Sequence, residues 1–447
     1  MKEMQRPSVS APVVSKWHYI LAPIVVILLY SVQYAFQNQK LFDATIGHVI
    51  VNHERIGSWD NSAVFRTRKA FEPLSSQSAN WDAAIYKCIS QHMYAPDKEC
   101  YDQVRAAFFP LFPVVWKALG VGEMGVSIFN HIVFSISIFL LLVKFKLYNI
   151  YAFSVLTYSP VLLYFVIPYT ESLFLFLFTL YVIFQSRNQV LSNSAVALLG
   201  MLRPASGVLV MLYSVFTETC NKDSTVYSGG ARAAVTIFSW CFGLIIAISI
   251  QAYFTGDVLA FFDARSNWNS EFIAFSDFKY FSREGLGMGL YVAIFPVLLG
   301  VIMLFKKAKV ESHFRAIVLV FVLYAVAIVI IWFYSKGWVI ASHSRLVLGS
   351  PIYILLILTL AKAPYAKTLL KTHVLSIAAI SIGVNFIYGA NFRDLALITL
   401  LFHPILFYWA SRPTRYKLFY VLCWVLLLSI WTSYELNEYI VNSYLLT

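Results

Sequence analysis

Trp81-Asp82-Ala83-Ala84-Ile85-Tyr86, followed by Phe108-Phe109-Pro110-Leu111-Phe112-Pro113, is a polar and aromatic stretch in a chain that otherwise reads as one apolar run after another. The surroundings fix the solvent. With 60% hydrophobic, 17% aromatic and only 13% charged residues over 447 positions, and a mean hydropathy of +0.70, the chain cannot be a water-soluble globule. Runs of about 20 apolar residues, the length a helical span needs, lie near 17–36, 125–143, 147–167, 169–186, 231–254, 286–305, 315–334, 338–361, 373–390, 394–410 and 416–434. Being unbroken and uncharged at their centres, they read as helices rather than barrel strands. The expected fold is an all-α polytopic membrane protein, a single integral-membrane domain over residues 1–447, with no repeat, heptad or linker dividing it.

Charge sets the expected orientation. The net charge of +12 is spread over short caps between spans rather than gathered on one arm, so it reads as topology and not as nucleic-acid binding. Lys2, Arg6 and Lys16 precede the first run, which reads as a retained signal anchor with its N-terminus in the cytoplasm. Residues 37–106 then lie outside. Lys144, Lys146, Arg187, Lys306-Lys307-Ala308-Lys309, Lys362, Lys367, Lys371, Arg412, Arg415 and Lys417 all favour the cytoplasmic side. Their parity requires that Phe108 to Leu119 lie on the outer surface without crossing, extending the first external loop over 37–124. It also requires that Asn193 to Thr217 form a hairpin of short or re-entrant helices turning near Arg203-Pro204, which lines a protein or water cavity. Residues 255–285 form a second external loop on the same face, and the count comes to about 13 transmembrane or re-entrant helices. The alternative, in which both segments cross once, puts Lys144, Lys146 and Arg187 outside and is the less favoured of the two.

In such a chain the polar positions are where chemistry can be housed. Asp82 shares a helical face with Tyr86 and sits near the membrane surface, where a half-withdrawn carboxylate is a better general base. The plain alternatives are a helix cap or an ion pair with Lys87. Arg203 at the hairpin turn, and Arg345 with His343 near the outer end of a span, are costly in the membrane unless they line a cavity or pair, with Glu171 available to either. Trp81, Tyr86, Phe108, Phe109 and Tyr169 are candidates to line a lipid or sugar path, against the commoner role of aromatics as packing or interfacial anchors. Cys88 and Cys100 share the first external loop and can pair if it faces an oxidising compartment. No His/Cys/Asp set has metal-ligand spacing, and neither a glycine-rich phosphate loop nor an Asp-x-Asp motif is present, so no metal or cofactor is expected.

The order of elements carries a resemblance. Trp81-Asp82-x-x-x-Tyr86 with Ile89 and Tyr94, then Phe108-Phe109-Pro110-x-Phe112-Pro113, then Pro168-Tyr169-Thr170-Glu171-Ser172-Leu173, then Leu202-Arg203-Pro204-Ala205-Ser206-Gly207, then Ser344-Arg345-Leu346-Val347 with Pro351, resembles the PIG-V family of mannosyltransferases over about residues 80–355. The eukaryotic members of that family add the second mannose to GPI anchors. They often carry His, Gly and Arg where this chain has Ile85, Met93 and Asn80, which points to a bacterial or archaeal relative.

The resemblance implies the GT-C membrane glycosyltransferase architecture, with surface helices and a catalytic acid in the first external loop and a later loop closing over the donor. It implies a polyprenyl-phosphate sugar donor, usually mannose, a glycolipid or glycan acceptor, and a plasma-membrane location with the site facing the periplasm or exterior. In that frame Asp82 is the base, Arg345, Arg203 and His343 hold the donor phosphate, and Trp81, Tyr86, Tyr169, Glu171 and Phe109 contact substrate. A phosphate leaving group is already a stable anion, so cations suffice and no strong general acid is needed. The competing classes are a lipid or solute transporter, disfavoured here because one interrupted segment is apparent, in the first half only, and a non-catalytic subunit of a glycosyltransferase complex.

Overall fold

In the computed structural model the described residues are 82–95, 105–219, 226–266, 301, 312–336, 343–363, 370, 371, 374, 402–412 and 416–440. Among them the chain is all-helical. The expected runs at 17–36, 286–305 and 373–390 lie almost wholly outside them.

The first described element, α1 (Asp82–His92), carries Asp82 in its first turn, where a carboxylate suits the positive end of the helix. It ends on Met93 in the left-handed region, φ 54°, whose N–H closes back on the Ile89 carbonyl at 2.7 Å. After a 3-10 turn over Arg105–Ala107 comes α2 (Leu111–Leu119), stopped by Gly120 at φ 63°. Nine residues make about 13 Å of helix, too little to cross a bilayer.

Next, α3 (Glu123–Lys144) runs from an acidic first turn to a basic last turn, a length of about 33 Å. It is one of two helices among the described residues that are long and apolar enough to cross a membrane; the other is the Gly229–Thr255 portion of α9 (Val226–Thr255). Both expose apolar side chains. On α3, Ile128, Ile132 and Ile136 form an outward stripe at four-residue spacing, and on α9, Phe238, Phe242, Ile245 and Tyr253 are exposed. An outward apolar stripe of this kind suits contact with lipid.

The run at 147–167 departs from expectation. It is two pieces, α4 (Ile150–Thr157) and α5 (Leu162–Val166), because Pro160 cannot donate to the ladder and frees the preceding carbonyls. Trp424 satisfies one of them, its Nε1 donating to the Tyr158 carbonyl at 3.1 Å, while a ring nitrogen of buried His403 lies 3.0 Å from the Val155 carbonyl.

Then α6 (Glu171–Phe184), α7 (Gln189–Leu202) and α8 (Ser206–Thr219) follow with short connections. The latter two form a hairpin turning at Arg203–Ala205. Arg203 caps α7 in extended geometry, as a residue before proline should. One end of the hairpin is marked by Arg203 against Glu171, the other by Gln185 Nε2 donating to Thr217 Oγ1 at 3.4 Å, with Phe178 edge-on to Tyr213 between them.

Long α9 packs on both arms. A Cβ on Gly243 would sit 1.8 Å from the Ala197 carbonyl oxygen, and one on Gly200 2.3 Å from the Trp240 carbonyl oxygen, so the α7 and α9 backbones touch directly. Trp240 fills the arch of the hairpin and donates through Nε1 to Ser206 Oγ at 2.9 Å.

Beyond α9, α10 (Ala260–Ser266) packs on the Arg105–Ala107 turn, and α11 (Ser312–Lys336) lies along α8. The run at 338–361 is also broken, into α12 (His343–Leu348) and α13 (Pro351–Lys362) at Gly349-Ser350. Pro351 sits in the first turn of α13 and Ser350 caps it through the Tyr353 N–H. The two breaks meet: Val161 Cγ2 would lie 3.7 Å from a Cβ on Gly349. Interruptions therefore occur in both halves of the chain, and the expectation of one in the first half alone is corrected. Proline breaks inside continuous apolar text are invisible to hydropathy. Last come α14 (His403–Ala410) and α15 (Lys417–Ile440).

Candidate active site

The charged side chains separate toward the two ends of α3. At the Lys144 end, Arg187 is within electrostatic reach of Lys144. The Lys362 ammonium lies over the Phe145 ring, Lys417 over Tyr151, and Arg412 donates to the Ala361 carbonyl at 3.4 Å. At the Glu123 end, Lys87 is paired with Glu123, and a second, more buried group of charges is assembled from four distant parts of the chain.

Arg345 is the centre of that group. Its Nε donates to Glu171 Oε1 at 2.6 Å and its Nη1 to Asp82 Oδ2 at 2.9 Å. Arg203 Nη1 reaches the same Glu171 oxygen at 3.3 Å. The guanidinium of Arg345 lies 4.3 Å from the centre of the Tyr169 ring and 5.3 Å from that of Tyr164, and that of Arg203 lies 5.4 Å from Phe174. Two cations and two carboxylates cancel in a setting where unpaired charge is costly. Glu171 is fully buried and Arg345 nearly so, whereas the Asp82 side chain is 26% exposed.

Local sequence explains each placement. Pro168 holds Ile167 in extended geometry and so separates α5 from α6, and the irregular turn between them is pinned by buried Asn130, whose Nδ2 donates to the Ile167 carbonyl at 2.7 Å and the Tyr169 carbonyl at 3.0 Å. Ser172 Oγ donates to the Phe165 carbonyl at 2.6 Å. Tyr169 and Glu171 are thereby presented at the head of α6. Arg203 occupies the hairpin turn because Pro204 ends α7, and Arg345 stands on α12 one turn before its break.

On α1, Tyr86 packs edge-on against Phe108 and Phe112, both ring centres at 5.1 Å. Burial, with Asp82 adding to it, pushes its hydroxyl far above the usual tyrosine range, so it stays protonated. Tyr94 closes the same packing, donating to the Phe108 carbonyl at 2.6 Å. Gln251 of α9 donates to that carbonyl at 3.1 Å and to that of Ala106 at 2.9 Å, fastening the end of α9 to the α1–α2 connection.

Of the residues singled out from sequence, Asp82, Glu171, Arg203, Arg345 and Tyr169 come together, with Tyr86 one helical turn from Asp82. The alternative partner expected for Asp82, Lys87, is engaged by Glu123 instead. Phe109 turns to α10, edge-on to Phe261 at 5.3 Å. His343 begins α12, and Trp81 lies outside the described residues. Cys88 is disulfide-bonded; its expected partner Cys100 lies outside the described residues, while Cys241 and Cys423 are free. No group of His, Cys, Asp and Glu with metal-binding geometry occurs among the described residues.

Asn130 and Gln251 were not singled out from sequence, although a polar amide in the middle or near the end of an apolar run is a readable signal. Comparison with protein-family models, with curated proteins and with solved structures finds no significant match.

Proposed function

We propose that this chain is an inverting glycosyltransferase of the PIG-V-like, GT-C kind, moving a sugar, mannose by the resemblance, from a polyprenyl-phosphate donor to a glycolipid or glycan acceptor. In this reading it is an integral plasma-membrane protein of about 13 passes, with the Asp82 end facing the periplasm or exterior and the lysine- and arginine-rich end in the cytoplasm. The disulfide at Cys88 supports that orientation, since such bonds persist on the oxidising side.

The observation that carries the reading is the convergence of Asp82, Glu171, Arg203 and Arg345 at the end of α3 opposite the basic one. Asp82 accepts the proton of the acceptor hydroxyl as that oxygen bonds to the anomeric carbon. The bond from that carbon to the phosphate oxygen breaks in the same displacement, and the leaving phosphate keeps the electron pair beside Arg345 and Arg203. One carboxylate attacking through the hydroxyl, with no covalent intermediate, gives inversion. Tyr169 supports Arg345, and Asn130 holds the turn bearing Tyr169 and Glu171.

A second reading, transport of a lipid or solute, is favoured by one observation: two interrupted segments, one in each half, meet at their breaks. Reconstituting the purified chain in vesicles with radiolabelled polyprenyl-phosphate mannose separates the two. Label appearing in an acceptor glycan or lipid supports the transferase; label crossing the bilayer with no new product supports the transporter.

A further inference from the structure

Arg345 has one edge engaged firmly and one loosely. Its Nε edge is held by Glu171, which is fully buried and shared with Arg203. Its other edge, Nη1 and Nη2, meets only Asp82, through a single bond from Nη1; Nη2 has no hydrogen-bond partner among the described residues. A phosphate placed on that edge makes two parallel N–H···O bonds where Asp82 makes one. Arg203 is likewise bound through one nitrogen, at the longer 3.3 Å, and its Nη1 and Arg345 Nε both lie within 3.3 Å of the same Glu171 oxygen. One anion can therefore meet both guanidiniums.

The charge balance decides which carboxylate gives way. The four groups are neutral together, so an arriving phosphate gains little net attraction while both carboxylates stay in place. Glu171 cannot leave without removing the firmest partner of buried Arg345 and the carboxylate partner of half-buried Arg203. Asp82 is the exposed member, stands in the first turn of a helix where a free carboxylate is tolerated, and is held by one bond.

We propose that Asp82 occupies the phosphate position of Arg345 in the empty protein, and that a phosphate group displaces it there. Glycosyl transfer is then ordered, donor before acceptor: while Asp82 is bound to Arg345 one of its oxygens is unavailable to a hydroxyl, and the anion that brings the sugar is what releases it. This ordering deepens the transferase reading and rests on it; the displacement itself does not require sugar transfer.

The test measures binding of two probes without sugar, a short-chain prenyl monophosphate and inorganic phosphate, to the purified full chain in detergent. Removing the resident anion, Asp82→Asn, is expected to tighten phosphate binding about tenfold, and Arg345→Lys, which lacks the two-nitrogen edge, to weaken it at least as much. A preference for the prenyl probe identifies a lipid phosphate as the source, and equal affinity a free one. Unchanged or weaker binding by Asp82→Asn, or no binding by any form, overturns the displacement. If Asp82→Asn tightens binding while the wild type transfers no sugar from any polyprenyl-phosphate donor, the displacement stands and the transferase reading falls.

Discussion

Arg345 could be picked out from sequence as an arginine in an apolar run, and Glu171, 174 positions away, as an available partner, whereas Asp82, 263 positions away, could not be matched to it. What periodicity makes legible is that a buried cation needs an anion; which anion depends on tertiary packing. The same limit applied to Asp82, for which Lys87, five residues along, was the local candidate and Arg345 the actual partner. Met93 is the opposite case. Its left-handed backbone, φ 54°, is one that glycine adopts at no steric cost and a residue with a Cβ adopts at a cost of about 1–2 kcal/mol. Met93→Gly should stabilise the protein by about 1 kcal/mol, read as a higher thermal midpoint in detergent with catalytic properties unaltered. Asn130→Leu should do the reverse, removing the side-chain donor to the Ile167 and Tyr169 carbonyls, of which Ile167 keeps the Tyr169 N–H, at a loss of about 1–3 kcal/mol. It should also lower transfer more than Met93→Gly changes it, because the turn carrying Tyr169 and Glu171 is released.

At the level of elements, apolar length was the readable quantity and continuity was not. Spans at 125–143 and 231–254 are continuous helices in α3 and α9, and the 193–217 segment is a hairpin turning at Arg203-Pro204, where proline and charge coincide in the sequence. The breaks at Ser159-Pro160 and Gly349-Ser350 do not show in hydropathy, because apolar residues continue on both sides of them, even with Arg345 one turn before the second. Small residues mark the closest helix contact, and they support a sharp comparison within α9. Gly243→Leu should cost several kcal/mol, because its Cβ would overlap the Ala197 carbonyl. Gly230→Ala, where nothing lies within 4 Å, should be neutral or stabilising by up to about 1 kcal/mol. Thermal unfolding of the two variants side by side checks both; equal effects would mean that α7 and α9 do not touch at Gly243.

Over the whole molecule, the segregation of charge was the most informative thing the sequence contained. Of the basic caps expected on one side from the preference of lysine and arginine for the cytoplasm, Lys144, Arg187, Lys362, Arg412 and Lys417 gather at the Lys144 end of α3, about 33 Å of helix from Glu123, while Lys306, Lys307, Lys309, Lys367 and Arg415 lie outside the described residues. The acidic and arginine-rich group at the other end has no such local signature: its members, each singled out in the sequence, are brought into contact where α1, α6, the hairpin turn and α12 meet. The orientation is open to a direct check with single cysteines on a background whose free cysteines are replaced by serine. Lys117→Cys, exposed on α2, should react with an impermeant maleimide in intact cells, and Val190→Cys, exposed beside Arg187, only after permeabilisation. The reverse pattern would place the Asp82 group in the cytoplasm.

The central claim is that this group of charges transfers a sugar. It is tested most directly by incubating purified protein with radiolabelled polyprenyl-phosphate mannose and membrane acceptors, comparing wild type with Asp82→Asn after both are shown to unfold at similar temperatures. The account predicts product from the wild type and a loss of at least a hundredfold in the variant, the usual scale for removing a general base. A folded Asp82→Asn protein that transfers mannose as fast as the wild type would contradict it.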